Sequence, residues 1–381
     1  MCRSTIHFGR GLVETHFGQN YNPVYPIRKG GPFMDAKEIK EYAKQYVLQS
    51  WSKQGALDPI PVERAEGIYF YDYEGNRYAD MSSQLVNLNV GFGNEEINRA
   101  IREQTEKYCF VGPAYAAEPR VKLAKRLIGL LPDNFGKIFF TNAGADANEN
   151  AIKIARLYTG RKKVFSRYRS YHGSSFGAGN LTGEPRRYPL EPGIPGFVKF
   201  FDPYLYREAI SFSSEEEASR FYVEKLREQI LYEGPDQVAA IVLETITGSN
   251  GVIIPPKGYL PGVRSICDEF GIVMICDEVM AGFGRTGKMF AFEHFGIKPD
   301  LVSFAKGVTC GYVQLGGVAV SETIRLCEVP TLREYGIERK TYEALIPKMS
   351  EDAVASGSPA NTWRPVSEGD CAAIYKKAYE R

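Results

Sequence analysis

Six short runs constrain this chain more than any other feature. "KIFFT" (137–141), "KVFS" (163–166), "VAAIVLE" (238–244), "IVMICDE" (272–278), "LVSF" (301–304) and "GGVAV" (316–320) are apolar and partly β-branched. Between them lie longer stretches, and "NEEINRAIREQTEKY" and "EPRVKLAKRLIGLL", ahead of the first run, carry helical spacing. A strand that is apolar on both sides of its pleat must be covered on both faces. Alternation with helices therefore predicts an α/β protein with a mostly parallel sheet between helical layers.

Such a sheet collects its ligands at the carboxyl ends of its strands. "KIFFT" runs into "NAGADANENAIKIAR", which puts Gly144 and Ala145 at a helix start. Small residues there let backbone N–H groups approach an anion, and the helix dipole favours phosphate. "KVFS" leads to Tyr171 and His172, "VAAIVLE" ends on Glu244, "IVMICDE" ends on Asp277 and Glu278, and "LVSF" leads to Lys306. A carboxylate as deep as Asp277 needs a cationic partner, and a protonated pyridine nitrogen would serve. A partly desolvated lysine at a strand end can form a Schiff base. Each residue alone has a blander reading as a turn, a cap, a core ring or a snorkelling lysine. Together and in this order they describe a pyridoxal phosphate site.

Composition narrows the alternatives. The 381 residues, 44% hydrophobic, suffice for one large core and a smaller domain. Basic and acidic side chains number 47 and 46, so nothing asks for nucleic acid or an anionic membrane. No run approaches a membrane span and no basic-then-apolar leader is present. The seven cysteines are scattered without a CxxC pair, which predicts a reduced, cytoplasmic chain. The four histidines include no HxxxH or HExxH pair, so no metal is expected.

Residues 1–34 read as an irregular leader rich in Gly, Pro and Asn. "RKGGPFMD" fits a translated ribosome-binding sequence ahead of a start at Met34; an ordinary N-terminal arm is the other reading. Residues 35–80 read as an amphipathic helix followed by two strands about a Gly-Asn turn in "GIYFYDYEGNRYAD". Residues 81–323 read as the large domain and 324–381 as a helical tail.

The motifs "TNAGADANENAIKIAR", "YRSYHGSS", "CDEVMAGFGRTGKMFAFEHFGIKPDLVSFAKG" and "GGVAV" resemble the class III (ω-amine) aminotransferases of the aspartate aminotransferase fold, fold type I. The likeness covers about residues 35–323. It implies pyridoxal 5'-phosphate as cofactor, Lys306 as the Schiff-base lysine and Asp277 against the pyridine nitrogen. Val279 would pack behind the ring, Tyr171 would stack on it with His172 alongside, Gly144 and Ala145 would hold the phosphate, and Glu244 would be a supporting acid. Within the family, "DMSSQLVNLNVG" and "YHGSSFGAGNLTGEPRR" are most similar to the taurine–pyruvate type. That implies a small amine and a keto acid, pyruvate, as partners in a homodimer. Another ω-amino acid, such as β-alanine, is the rival donor.

After "GGVAVSETI" the family's "HGxTYSGxP" loop, long helix and C-terminal domain do not follow. The remaining residues resemble the C-terminus of iron-type alcohol dehydrogenases, in "TLREYGI", "SGSPAN" and "IYKKAY". That similarity includes neither the iron ligands nor the nucleotide site, so neither iron nor NAD is expected. The pattern implies a fusion, with impaired turnover or an inactive remnant among its outcomes.

Overall fold

The computed structural model describes residues 5–8, 11–14, 34–324, 336–356 and 366–379. Strands β1 (Thr5–Phe8) and β2 (Gly11–Glu14) form an antiparallel hairpin inside the stretch expected to be irregular. The other leader residues, the join at 325–335 and most of "SGSPAN" lie outside the described residues. The chain divides into two units: residues 1–85 with 90–101, and residues 86–89 with 102–381. The boundaries expected from the sequence lay at 80 and 323.

In the first unit, helix α1 (Ala36–Tyr46) starts where its sequence demands. Asp35 accepts from the Glu38 N–H, and the Glu38 side chain accepts from the Asp35 N–H, a reciprocal cap. The expected pair of strands is a three-stranded antiparallel sheet, β3 (Val62–Glu66), β4 (Tyr69–Asp72) and β5 (Arg77–Ala79). Asp72 organises the turn between β4 and β5 by accepting from the N–H groups of Glu74 and Asn76. Helix α2 (Glu95–Lys107) follows and belongs to this unit up to Ile101.

The second unit is built on a seven-stranded sheet. Its strands are β6 (Phe135–Thr141), β7 (Lys163–Arg167), β8 (Phe197–Phe200), β9 (Val238–Glu244), β10 (Val273–Asp277), β11 (Leu301–Phe304) and β12 (Gly316–Ser321), in the order β6-β12-β11-β10-β9-β7-β8. All six apolar runs are strands here. β8, "FVKF", is an addition: it is four residues long with a lysine inside, too weak a pattern to read. Only β12 runs against the rest. The carboxyl ends of β6, β7, β9, β10 and β11 therefore share one rim.

β9 shows why both faces are covered. Ile241 and Leu243 enter one core, while Ala240 and Val242 enter the other. Helix α4 (Gly144–Thr159) lies across β9 to β12 and supplies Ala147, Ala151, Ile152 and Ala155 to the second core. Helices α3 (Glu118–Ile128), α6 (Glu215–Glu233) and α7 (Tyr259–Phe270) supply the first core, through Leu127, Leu226 and Val263 among others. A short helix, α5 (Phe176–Leu181), follows the Tyr171–His172 turn. In the tail, α8 (Arg339–Ala355) and α9 (Glu368–Tyr379) pack on one another. Tyr342 stacks on Tyr379 at 5.3 Å between ring centroids, and its hydroxyl donates to Tyr375 O at 3.0 Å.

Among the described residues no helix is long and apolar enough to cross a membrane. Cys109, Cys267, Cys276, Cys310 and Cys371 are free thiols.

The sheet is tight where β12 passes its neighbours. A Cβ on Gly317 would lie 2.6 Å from Phe304 Cζ and 2.9 Å from the carbonyl oxygen of Phe139. Gly317→Ala should therefore cost about 1–3 kcal/mol by overpacking. Urea denaturation of the two proteins would measure the difference.

Candidate active site

The rim gathers its polar groups by register. Asp277, the last residue of β10, pairs across the sheet with Glu244 on one side and Ser303 on the other. Lys306 follows β11 by two residues, in the left-handed region at φ +46°. A lysine rarely adopts that conformation, and such strained positions cluster at functional sites. Gly307 permits the turn: a Cβ there would meet Phe283 Cβ at 2.8 Å and Asn89 Nδ2 at 2.9 Å.

Asp277 is buried, 3% exposed, and three donors converge on it. Asn148 Nδ2 donates to Oδ2 at 2.8 Å, and the Val279 N–H donates to Oδ1 at 3.0 Å. His172 Nδ1 lies 2.7 Å from Oδ2, a bond the ring makes as donor. Its other nitrogen, Nε2, is buried with no hydrogen-bond partner. Asn148 is fixed in turn: its Nδ2 also donates to His172 O at 2.8 Å, and its Oδ1 accepts from Ser303 Oγ at 2.6 Å. The His172 N–H donates to Thr182 Oγ1 at 3.0 Å. A buried carboxylate is tolerable when its lone pairs are satisfied in this way.

Glu244 does a different job. Its Oε1 accepts from the Tyr171 N–H at 3.0 Å and its Oε2 from the Gly248 N–H at 2.7 Å. Burial raises its pKa above the ordinary carboxylate value. Glu278, the next residue after Asp277, serves the architecture. It accepts from Thr245 Oγ1 at 2.5 Å and from the N–H groups of Ala291 and Phe292, and burial pushes it up to about 7. Burial lowers the pKa of the Lys306 amine, against the opposing pull of Asp277 and Glu244. A larger share of the amine is then neutral and nucleophilic at a given pH.

Gly144 opens α4, preceded by Ala143, which makes no side-chain cap. The first N–H groups of the helix therefore lack the usual oxygen partner and favour an anion. A Cβ on Gly144 would lie 2.8 Å from Val279 Cγ1, so only glycine lets the helix start approach the Asp277–Val279 turn this closely. Ala145 packs on the next turn, where a Cβ on Gly173 would meet its Cβ at 2.7 Å. The Tyr171 ring lies under the guanidinium of Arg186, 4.0 Å from its carbon.

The second unit thus contains every residue singled out from the sequence. Sequence reasoning missed Asn148 and Ser303. Asn148 had a signal, being one polar residue amid the alanines of α4's buried face. Ser303 had none, since a serine inside an apolar strand is ordinary.

These features fit pyridoxal phosphate: a buried carboxylate, a strand-end lysine with a depressed pKa, an uncapped helix start and a glycine cradle. The α/β sheet and this rim have the fold type I architecture of pyridoxal phosphate-dependent transferases. A family model for aminotransferase class-III matches residues 51–337, running past residue 323. The chain belongs to the class III aminotransferases.

It is similar to the taurine–pyruvate aminotransferase of Bilophila wadsworthia, 33% identical over 298 residues, covering 76% of this chain and 65% of that one. It is also similar to the putrescine–pyruvate aminotransferase of Pseudomonas aeruginosa, 35% identical over 306 residues, covering 77% and 63%. Among solved structures, the taurine:2-oxoglutarate aminotransferase of Bifidobacterium kashiwanohense, in complex with PLP and glutamate, superposes with a TM-score of 0.74. It is 46% identical and covers 91% of this chain and 72% of that one. The chain spans just under two thirds of the length of the two curated relatives.

The Asn148 bridge is testable without any ligand. Asn148→Ala leaves buried partners unsatisfied and should cost about 1–3 kcal/mol. Asn148→Asp keeps the shape but sets a second carboxylate against Asp277, so it should cost more than the alanine change. The order of the two denaturation midpoints is the measurement.

Proposed function

We propose that the chain is a pyridoxal phosphate-dependent aminotransferase that takes the amino group of taurine and passes it to a keto acid. With pyruvate the products are sulfoacetaldehyde and alanine. The observation that carries this reading is Asp277, held by Asn148 and His172 on the strand next to the one that presents Lys306. β-Alanine or another ω-amino acid is the nearest alternative donor. We also propose a homodimer as the working form.

In this reading Asp277, whose carboxylate His172 fixes, would hold the ring nitrogen. Val279 and Tyr171 would hold the ring, and Gly144 and Ala145 would receive the phosphate at the start of α4. Glu244 sets the Tyr171 backbone. Lys306 would hold the cofactor, and its amine would move a proton as a general base. The cofactor supplies an electron sink for the bond that is broken next to nitrogen.

A second reading rests on sequence motifs alone. From the resemblance of residues 324–381 to the iron-type alcohol dehydrogenase C-terminus we infer a fusion whose turnover is impaired. The family match up to residue 337 weighs against a join as early as 323. The two readings separate in one assay. Both expect borohydride to fix the cofactor on Lys306; only the first expects alanine from taurine and pyruvate.

Lys306→Ala should abolish the fixed adduct, read by mass spectrometry of the peptide. In the wild type, capture should rise with pH. Its midpoint should lie below 10.5, the ordinary lysine value, because burial favours the neutral amine. A midpoint at or above that value counts against the assignment. Asp277→Asn should retain cofactor absorbance but lose about 100-fold or more in turnover, comparable to other electrostatic deletions at active sites.

A further inference from the structure

Opposite charges hold the two ends of α5, the short helix that follows the Tyr171–His172 turn. At its start, Glu149 of α4 accepts with Oε1 from Ser175 Oγ at 2.6 Å and from the N–H groups of Gly177 and Ala178 at 2.7 and 3.0 Å. At its end, Lys199 of β8 donates to Asn180 O at 2.5 Å and to Leu181 O at 2.6 Å. The same amine donates to Ser166 Oγ of β7 at 2.6 Å. Asn180 and Leu181 are the last residues of the helix, where carbonyls lack partners inside it. A carboxylate at the start and an ammonium at the end also suit the helix dipole.

An ammonium has three N–H donors and no acceptor, and here each of the three has an oxygen. None of these oxygens belongs to a carboxylate, so the amine serves this junction and not an ion pair. A neutral amine has two N–H groups and would turn a lone pair toward the third oxygen. Burial and the nearby Arg187 guanidinium lower the pKa of the amine to about 7, and the three oxygens oppose that shift by favouring the charged form.

The junction lies one residue from the site. Thr182, next after Leu181, accepts the His172 N–H on its Oγ1 at 3.0 Å, and His172 Nδ1 reaches Asp277 Oδ2 at 2.7 Å. We propose that Lys199 is a positioning residue of the site: with Glu149 it clamps α5, and through Thr182 it holds His172 against Asp277. Its bearing on turnover rests on the aminotransferase reading; the clamp itself does not.

Hydrogen exchange of the cofactor-loaded protein reads the clamp without turnover. The N–H groups of His172, Thr182 and Gly183 donate to Thr182 Oγ1, Ala178 O and Ser170 O, so they report on the end of α5. Lys199→Met keeps an apolar stem and removes the donors. It should speed exchange at these three positions about 10- to 100-fold, the range for a charge-assisted hydrogen bond. Exchange in β9 and β10 should stay within about twofold of the wild type, which also shows that the variant is folded. Lys199→Arg keeps a fixed charge and several donors and should restore part of the protection. In kinetics, Lys199→Met should lower kcat about tenfold or more, with KM for taurine nearly unchanged, because the amine acts through His172 and not on the donor. Thr182→Val cuts the link to His172, so the double variant should lose little more than the worse single one.

Unchanged exchange at residues 172, 182 and 183, or acceleration shared equally by β9 and β10, overturns the proposal. So do losses of kcat that simply multiply in the double variant. Selective loss of protection in a protein that makes no alanine or glutamate from taurine leaves the clamp standing and sinks the aminotransferase reading instead.

Discussion

The site depends on a single buried carboxylate and the groups that make its burial tolerable. Asp277 lies at the end of a strand covered on both faces, where an unsatisfied carboxylate would cost several kcal/mol. Asn148 from α4, His172 from the turn after β7 and the backbone of Val279 each give it a hydrogen bond. Because those donors come from three elements, the carboxylate also fixes the positions of all three. Asn148 is held by Ser303 of β11, the strand that leads to Lys306, so the lysine's strand and the acid share one network.

This arrangement explains why neighbouring acids differ so sharply. Asp277, Glu278 and Glu244 are all nearly excluded from solvent. Alternation along the backbone sends Glu278 away from Asp277, to the N–H groups of Ala291 and Phe292, where it holds a loop. Glu244 reaches the backbone N–H of Tyr171 and sets the ring. Of the three, Asp277 is the one whose side chain is tied through Asn148 to Ser303 on the lysine's strand.

Much of this was legible in the sequence because the signals were local. Six apolar runs became six strands, and reading past their ends found Gly144, Tyr171, Glu244, Asp277 and Lys306. What stayed hidden was long-range or weak. β8 is four residues interrupted by Lys199, whose amine donates to Ser166 Oγ and to the carbonyls of Asn180 and Leu181. The third strand of the first unit, Val62–Glu66, mixes charged and apolar residues with little burial, so its pattern was faint. Ser303 matters through a hydrogen bond 155 residues away in sequence, which no local pattern encodes. The units divide near residues 85 and 101, a split that follows contacts in space and not composition.

The direction of β12 has a consequence for how such a chain can diverge. It is antiparallel to β11, with Gly317 opposite Phe304 and Val320 opposite Leu301. It therefore begins at the rim that carries Lys306 and ends at the other edge of the sheet, where the Ser321 N–H donates to Asp300 O. Six residues of strand at about 3.4 Å each carry the backbone roughly 20 Å from the chemistry. Whatever follows Ile324 sets out from the remote edge. A change of sequence beyond that edge therefore redirects no strand that delivers a residue to the rim.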